Sequence, residues 1–376
     1  MGTTIVVLPG DGVGPEVMAQ GLRVLRTVGE GLGIDFEVVE FPCGGKYYLD
    51  HGKEWPDDAF ITCRDDSDAI LLGAVGWPGA WMPDGRLAGS SVVLGLRFNL
   101  DLYANIRPIK LYPNVRHQVS ERFAQVWEPR DVDLVIVREN TEGIYADTHG
   151  QLNRGGKVEV ATDVRIITRK GAERIIRHAF AICAARGGAP KDKIHRVTCV
   201  DKSNVLSGCR LFRSVYDEVA SEHPDVAKDY AYIDAFQQWL VRSPELYDVV
   251  VTTNMFGDIA TDLGAVLQGG MGMAASANVG DRHGMFEPIH GSAPKHAGQD
   301  RVNPIAMVLS VQAMLAWLGE RRKDATLRRA AVAVEGAVMD VLADGSRLTY
   351  DLGGTATTTA VGDALLVNLR RRLGKR

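Results

Sequence analysis

Long hydrophobic runs are missing from this sequence: no apolar stretch approaches the roughly 18 residues of a membrane span. The opening Met1-Gly-Thr-Thr-Ile-Val also lacks a charged region leading to a cleavage site, so a cytoplasmic chain is expected. Positive charge is not in excess, since 43 Lys and Arg face 47 Asp and Glu for a net −4. Such a chain has no field to gather nucleic acid or an anionic membrane, which leaves a small-molecule partner. Cysteine is sparse. Cys43, Cys63, Cys183, Cys199 and Cys209 are odd in number and scattered, without the close pairs of a zinc site, and read as small buried hydrophobes in a reducing compartment. What is present is a globular composition, 45% hydrophobic and 24% charged, over 376 residues. That length exceeds the roughly 250–300 residues at which one core stops growing, so two lobes are expected. The basic end from Arg370 reads as the solvated end of a last helix.

Valine- and isoleucine-rich runs ending in glycine or polar clusters alternate with helix-period segments, the pattern of buried parallel strands and helices in an α/β protein. Thr4–Leu8 leads through Pro9-Gly-Asp-Gly-Val-Gly-Pro15 into a helix over Glu16–Val28, with Pro15 suited to its first turn. Asp68–Leu72, Asp133–Val137, His195–Val200 and Asp248–Thr252 end at Gly73-Ala-Val-Gly76, Arg138-Glu-Asn-Thr-Glu-Gly143, Asp201-Lys-Ser-Asn204 and Asn254-Met-Phe-Gly257. Ligands bind at that edge of open α/β sheets, so these clusters are candidate site residues. No linker or repeat marks a lobe boundary.

Gly10-Asp-Gly-Val-Gly14 is not the dinucleotide fingerprint, whose third glycine stands three residues after the second. Asp258 and Asp262, four apart at the start of a helix, share a face. They read either as dipole-favoured carboxylates of a solvated helix start or, with Asp234, as an all-oxygen site suited to Mg²⁺ or Mn²⁺ rather than zinc. Arg97, Arg107 and Arg138 could grip a doubly charged substrate through paired hydrogen bonds, although each alone could be an ordinary surface arginine. Lys202 is a base if desolvation and a nearby cation lower its pKa, and otherwise a surface lysine.

Taken together, Gly10-Asp-Gly-Val-Gly-Pro-Glu16, Leu96-Arg97, Leu102-Tyr-Ala-Asn-Ile-Arg-Pro108, Val137-Arg-Glu-Asn-Thr-Glu-Gly-Ile-Tyr145, Val200-Asp-Lys-Ser-Asn204, Asn254-Met-Phe-Gly-Asp-Ile-Ala-Thr-Asp262 and Glu287-Pro-Ile-His-Gly-Ser-Ala-Pro294 resemble the β-decarboxylating dehydrogenases, the family of isopropylmalate, isocitrate, homoisocitrate, tartrate and D-malate dehydrogenases. The resemblance covers nearly the whole chain. It implies an α/β fold of two lobes around a cleft, the first, cofactor-binding lobe from 1–102 and 269–376. The second, from 103–268, would form a homodimer and carry the metal and substrate site, with an arm at about 145–165 that clasps the partner.

The activity so implied is oxidative decarboxylation of a 3-substituted malate, with nicotinamide as hydride acceptor and Mg²⁺ or Mn²⁺ at Asp258, Asp262 and the partner's Asp234. Arg97, Arg107 and Arg138 would hold the malate portion, while Lys202 and Tyr145 would handle protons. Asn204, Glu287, His290, Gly291, Ser292, Ala293 and Asn303 match cofactor contacts. Lys295, His296 and Tyr350 resemble NADP-dependent isocitrate dehydrogenases, where NAD-using relatives place an aspartate at 295, so NADP is expected over NAD. An arginine of those enzymes is replaced by Gly354. The substituent pocket is expected at Ser91, Val93 and Leu94: Val93 and Leu94 favour an apolar group, isopropylmalate first and then tartrate or D-malate, while Ser90 and Ser91 leave the polar γ-group of an isocitrate-type substrate possible. A non-catalytic regulatory subunit is disfavoured because every catalytic position is filled.

Overall fold

The computed structural model describes Gly2–Gly374, which divide into two compact units. The first gathers the chain up to Leu102, Leu111–Pro129, and everything described from Ala265 onward; the second holds Tyr103–Lys110 and Arg130–Gly264. In chain order the first unit begins with β1 (Thr3–Leu8), α1 (Gly14–Leu32), β2 (Phe36–Glu40), α2 (Gly45–His51), α3 (Ala59–Asp65), β3 (Ala69–Leu72) and α4 (Ser90–Asn99). After β4 (Ala104–Lys110), the hairpin β5 (His117–Val119) and β6 (Arg122–Ala124) again belongs to the first unit. The second unit continues with β7 (Asp133–Glu139), β8 (His149–Arg154), β9 (Lys157–Asp163), α5 (Arg169–Ala184), β10 (Arg196–Asp201), α6 (Ser207–Ser221), β11 (Ala227–Tyr232), α7 (Ile233–Arg242), β12 (Val249–Thr252) and all but the last three residues of α8 (Asn254–Leu267). The first unit closes with β13 (Ala275–Val279), β14 (Gly284–Pro288), α9 (Ile305–Arg321), α10 (Ala325–Asp344) and α11 (Thr358–Arg372).

In the first unit the strand order is β13-β14-β3-β1-β2, parallel except for the β13–β14 pair. In the second it is β11-β10-β12-β7-β4, parallel except for β4 against β7. Ile5, Val6, Val7 and Leu8 of β1 are fully buried, which is why the strand reads as an unbroken apolar run. Leu8, Ile70, Leu72, Leu96 and Leu100 pack into one core cluster that fixes β1, β3 and α4 together. Pro15 enters α1 at its first turn and Gly33, with φ 69°, closes it in the left-handed conformation.

The antiparallel strands β4 and β13 escape the apolar pattern because polar residues are interleaved among their buried positions. Asn105 and Arg107 on β4 and Ser276 and Asn278 on β13 are buried, Asn105 accepting from Arg107 Nε at 2.7 Å. The β8–β9 hairpin turns at Gly155-Gly156, where φ is 56° and 75°, and every residue of its strands but Gly150 is exposed. At the chain's end Arg371 and Arg372 pair with Asp340 at 2.9 and 2.7 Å, so the last helical turn is pinned; Lys375 and Arg376 lie outside the described residues.

Candidate active site

In the second unit the ends of β7 and β12 meet the start of α8. Arg138, with 1% of its side chain exposed, donates from Nε and Nη2 to Asn254 Oδ1 at 3.0 and 2.8 Å and from Nη1 to Asp258. The Tyr145 hydroxyl donates to the other oxygen of Asp258 at 3.1 Å, and the guanidinium lies 5.8 Å from the Tyr145 ring centroid. A side chain at Gly257 would put its Cβ 2.6 Å from Arg138 Cγ, so that glycine makes room for the arginine stem. Arg107 is buried and aimed by Asn105. Asp262 stands one turn beyond Asp258, and desolvation, then the charge of Asp258, push its carboxyl above the usual range while Arg107 and Arg138 pull it down.

Lys202, at the end of β10, donates from Nζ to Asp234 Oδ1 at 2.6 Å, which holds the Asp234 carboxyl below its usual range. Its neighbour Asp201 is fully buried and held by Arg213 through bonds of 2.8 and 3.0 Å, anchoring the turn that carries Lys202 and the exposed Asn204. Within one chain Asp234 is thus engaged with Lys202, and it does not join Asp258 and Asp262 in a three-ligand cluster among the described residues.

In the first unit α4 carries Ser91, Val93, Leu94 and Arg97. Its N-terminal amides at Gly89 and Ser91 both donate to the buried carboxylate of Glu54, the latter at 3.1 Å. Val93 packs on the core cluster, Leu94 is half-buried, and the Ser90 hydroxyl is buried without a partner. Arg97 donates from Nη2 to Glu287 Oε1 at 2.8 Å, an oxygen shared with Asn278 at 2.8 Å, while Arg97 Nε is buried and unpartnered. Glu287 therefore aims Arg97.

Most amides of the early glycine loop are used within the fold. The amides of Asp11, Val13 and Gly14 are consumed by Ala74, Ser292 and Asp11 carbonyls, and a Cβ at Gly12 would stand 1.9 Å from the Ser292 carbonyl oxygen. The Asp11 carboxylate receives the amides of Gly45, Lys46 and Gly76 at 2.7, 2.9 and 2.7 Å, stapling three loops to the Gly291-Ser292-Ala293 turn. In that turn Ser292 Oγ donates to the Gly76 carbonyl at 2.5 Å and Ala293 takes φ 37°.

Beyond it, His290 Nδ1 sits 3.0 Å from the Gly291 carbonyl, and burial pushes its pKa down, keeping the ring neutral. His290 Nε2 and His296 Nδ1 are buried without a hydrogen-bond partner, as fits a segment built to receive a polar ligand. Lys295 is exposed, and the His296 and Tyr350 rings lie 5.8 Å apart. Asn303 differs. Its amide donates to Asp351 at 3.0 Å and its oxygen caps Ile305 at 3.0 Å, so its side chain is committed to the scaffold.

A divalent ion fits the donor set of Asp258 and Asp262: two carboxylates one turn apart, one of them strained in its ionised form, with oxygen ligands only. A different cluster, Cys183, His195 and Asp248, brings three ligand atoms together. There Arg186 already neutralises Asp248 at 2.6 Å, and burial pushes the Cys183 thiol up to about 12, so it stays protonated and donates to Asp248 at 3.3 Å.

Sequence reading overlooked the residues that aim these groups: Asp11, Glu54, Asn105, Arg213, Asn254 and Asn278. Asp11, Asn105 and Asn254 lay inside quoted motifs, whereas nothing local marks Glu54.

Two α/β units bearing buried guanidiniums, a one-turn aspartate pair and a turn with two unpartnered imidazole nitrogens fit an enzyme that takes an anionic substrate. The chain belongs to the isocitrate/isopropylmalate dehydrogenase family, whose sequence model matches residues 4–365. It is similar to the 3-isopropylmalate dehydrogenase of Thermobifida fusca, 42% identical over 363 residues that span 96% of this chain and 95% of the relative. The 3-isopropylmalate/3-methylmalate dehydrogenase of Methanocaldococcus jannaschii is 40% identical over 97% of this chain and 98% of its own. Isocitrate dehydrogenase from Methylococcus capsulatus has a crystal structure matching at a TM-score of 0.83 and 33% identity, over 98% of this chain and 99% of that one. The chain is thus a β-decarboxylating dehydrogenase that uses a nicotinamide cofactor, a divalent metal and a small dicarboxylate.

Proposed function

We propose that the chain oxidises and decarboxylates 3-isopropylmalate in the cytoplasm, as a homodimer with NADP preferred as hydride acceptor. The observation that carries the substrate is α4: Leu94 stands one turn before Arg97 with Val93 beside it, and Arg97 is the helix's only charged residue. A γ-carboxylate there would be left without a partner, at a cost of several kcal/mol, whereas an isopropyl group gains about 0.8 kcal/mol per buried CH₂. The full-length relatives named for 3-isopropylmalate support the same choice. The buried, unpartnered Ser90 hydroxyl favours a second reading, a polar substituent such as that of isocitrate.

Arg97, Arg107 and Arg138 bind the malate carboxylates through paired hydrogen bonds. Asp258 and Asp262, with Asp234 of the partner subunit, would hold the divalent ion, which would supply Lewis acidity toward the substrate oxygens. Lys202 of the partner subunit, in its neutral form beside the bound cation, would take the hydroxyl proton at Nζ, and Tyr145 would return a proton from its hydroxyl to the substrate carbon. The dimer is supported by Ile259, Asp262 and Val266, which share one face of α8 with the two apolar residues 55% and 47% exposed. Trp239 and Val241 on α7 and Val158 and Val160 on the hairpin are likewise exposed, and burying such faces against a second copy is what they fit.

NADP is supported by Lys295, which is exposed and has no carboxylate partner among the described residues. A charge-assisted contact to the 2′-phosphate is worth about 1.5–3 kcal/mol, or roughly ten- to a hundredfold in kcat/KM. Turnover by the purified chain tests the function: NADPH and carbon dioxide should appear one for one, cease with chelator and return with Mn²⁺. Lys295→Asp should largely reverse the cofactor preference; a wild-type enzyme that prefers NAD would contradict the cofactor assignment.

A further inference from the structure

The turn after Tyr350 leaves no room for a side chain at 354. It is closed by the Gly354 amide on the Thr349 carbonyl at 2.9 Å and the Ala356 amide on the Leu348 carbonyl at 2.8 Å. A Cβ on Gly354 would stand 2.0 Å from the Leu348 carbonyl oxygen, a backbone atom that cannot yield without opening the turn. A cation at this position is thus excluded sterically.

A different cation occupies the same neighbourhood. The Arg301 guanidinium carbon lies 4.4 Å from the centroid of the Tyr350 ring, against which the His296 ring also packs at 5.8 Å, and Tyr350 is 41% exposed. Stacking on an aromatic face fixes the planar group before any ligand arrives, so less entropy is lost when its N–H donors are used. Its acidic neighbours are committed elsewhere: Asp300 accepts from the Thr359 amide and hydroxyl, both at 2.8 Å, and Asp351 from Asn303 at 3.0 Å and Thr349 at 2.5 Å. Neither Arg301 nor Lys295 has an ion-pair partner among the described residues. One uncompensated guanidinium and an imidazole whose Nδ1 is unpartnered thus pack on one exposed phenol, and the exposed Lys295 immediately precedes that imidazole in the chain. Such a group matches a phosphate monoester dianion, which accepts several charge-assisted hydrogen bonds at once.

We propose that Arg301 is a cofactor-specificity residue, donating to the adenosine 2′-phosphate from its seat on Tyr350 and supplying the charge that position 354 cannot carry. This rests on the NADP assignment above. Removing Arg301 weakens binding of a 2′-phosphorylated adenosine about tenfold, the scale of one charge-assisted contact, and leaves an adenosine lacking that phosphate unaffected.

Calorimetric titration of the full-length enzyme with adenosine 2′,5′-bisphosphate and with adenosine 5′-monophosphate tests this without turnover. Wild type should prefer the bisphosphate. Arg301→Gln should lose about tenfold for the bisphosphate alone and bind it with a shallower salt dependence, and Arg301→Lys, which keeps charge but not stacking, should fall between. If Arg301→Gln binds both ligands like wild type, or weakens both equally, while Lys295→Gln weakens the bisphosphate selectively, the role of Arg301 is refuted and the NADP assignment survives. If wild type does not distinguish the two ligands, both fall.

Discussion

Glu287→Gln isolates the pairing that aims Arg97. The two side chains are each 10% exposed and meet at 2.8 Å, so solvent screens the interaction little. Removing one charge of a buried pair costs about 3–5 kcal/mol, because the survivor stays desolvated without its counter-ion. Glutamine keeps an acceptor oxygen for Arg97 and for Asn278, which places the expected loss at the low end, about 3 kcal/mol. Urea denaturation of the metal-free, unliganded enzyme measures it. A second readout separates a site role from a structural one: if Arg97 binds a substrate carboxylate, saturating 3-isopropylmalate with metal restores the missing negative charge. The stability gap to wild type should then narrow, with substrate stabilising the variant more than the parent. A variant within 1 kcal/mol of wild type, or a gap that substrate leaves unchanged, would refute the reasoning.

Two further predictions concern the metal and the dimer. The folded state raises the Asp262 pKa, so the fold binds that proton more tightly than the unfolded chain; metal-free stability should fall as pH rises from about 4, the unfolded value, through the raised folded pKa. Asp262→Asn should therefore be at least as stable as wild type without metal at neutral pH, yet lose the rise in Tm that Mn²⁺ gives the parent; an undiminished rise would remove Asp262 from the ion's ligands. Lys202→Ala and Asp258→Asn homodimers should each be nearly inactive, and mixing them under conditions where subunits exchange should recover activity through the one intact site of the heterodimer. Persistent inactivity after proven exchange would rule out a shared site.

Much of the fold was legible because burial on both faces writes itself as valine and isoleucine runs. β1, β3, β7, β10 and β12 were all readable this way. The antiparallel strands were not, since their buried polar residues are stabilised by partners remote in sequence, as Asn278 is by Glu287 at 2.8 Å. The clustering of Arg138, Tyr145 and Asp258 followed from the motifs at and beyond strand ends; Asn254, which orients Arg138, stood in one of those motifs without its role being legible. Glu54 was invisible for a related reason: a carboxylate that caps a helix some 35 positions away leaves no local pattern. Asn303 is a residue whose motif suggests a ligand contact and whose side chain, without ligand, bonds Asp351 and the Ile305 amide, a pairing that its motif does not reveal.

The most direct test of the account is the specificity constant of the purified enzyme, with Mn²⁺ and saturating NADP, for 3-isopropylmalate, isocitrate, homoisocitrate, tartrate and D-malate. The account predicts the highest kcat/KM for 3-isopropylmalate, because Val93 and Leu94 offer an apolar surface and no cation beside Arg97. Isocitrate turned over well above 3-isopropylmalate would contradict it.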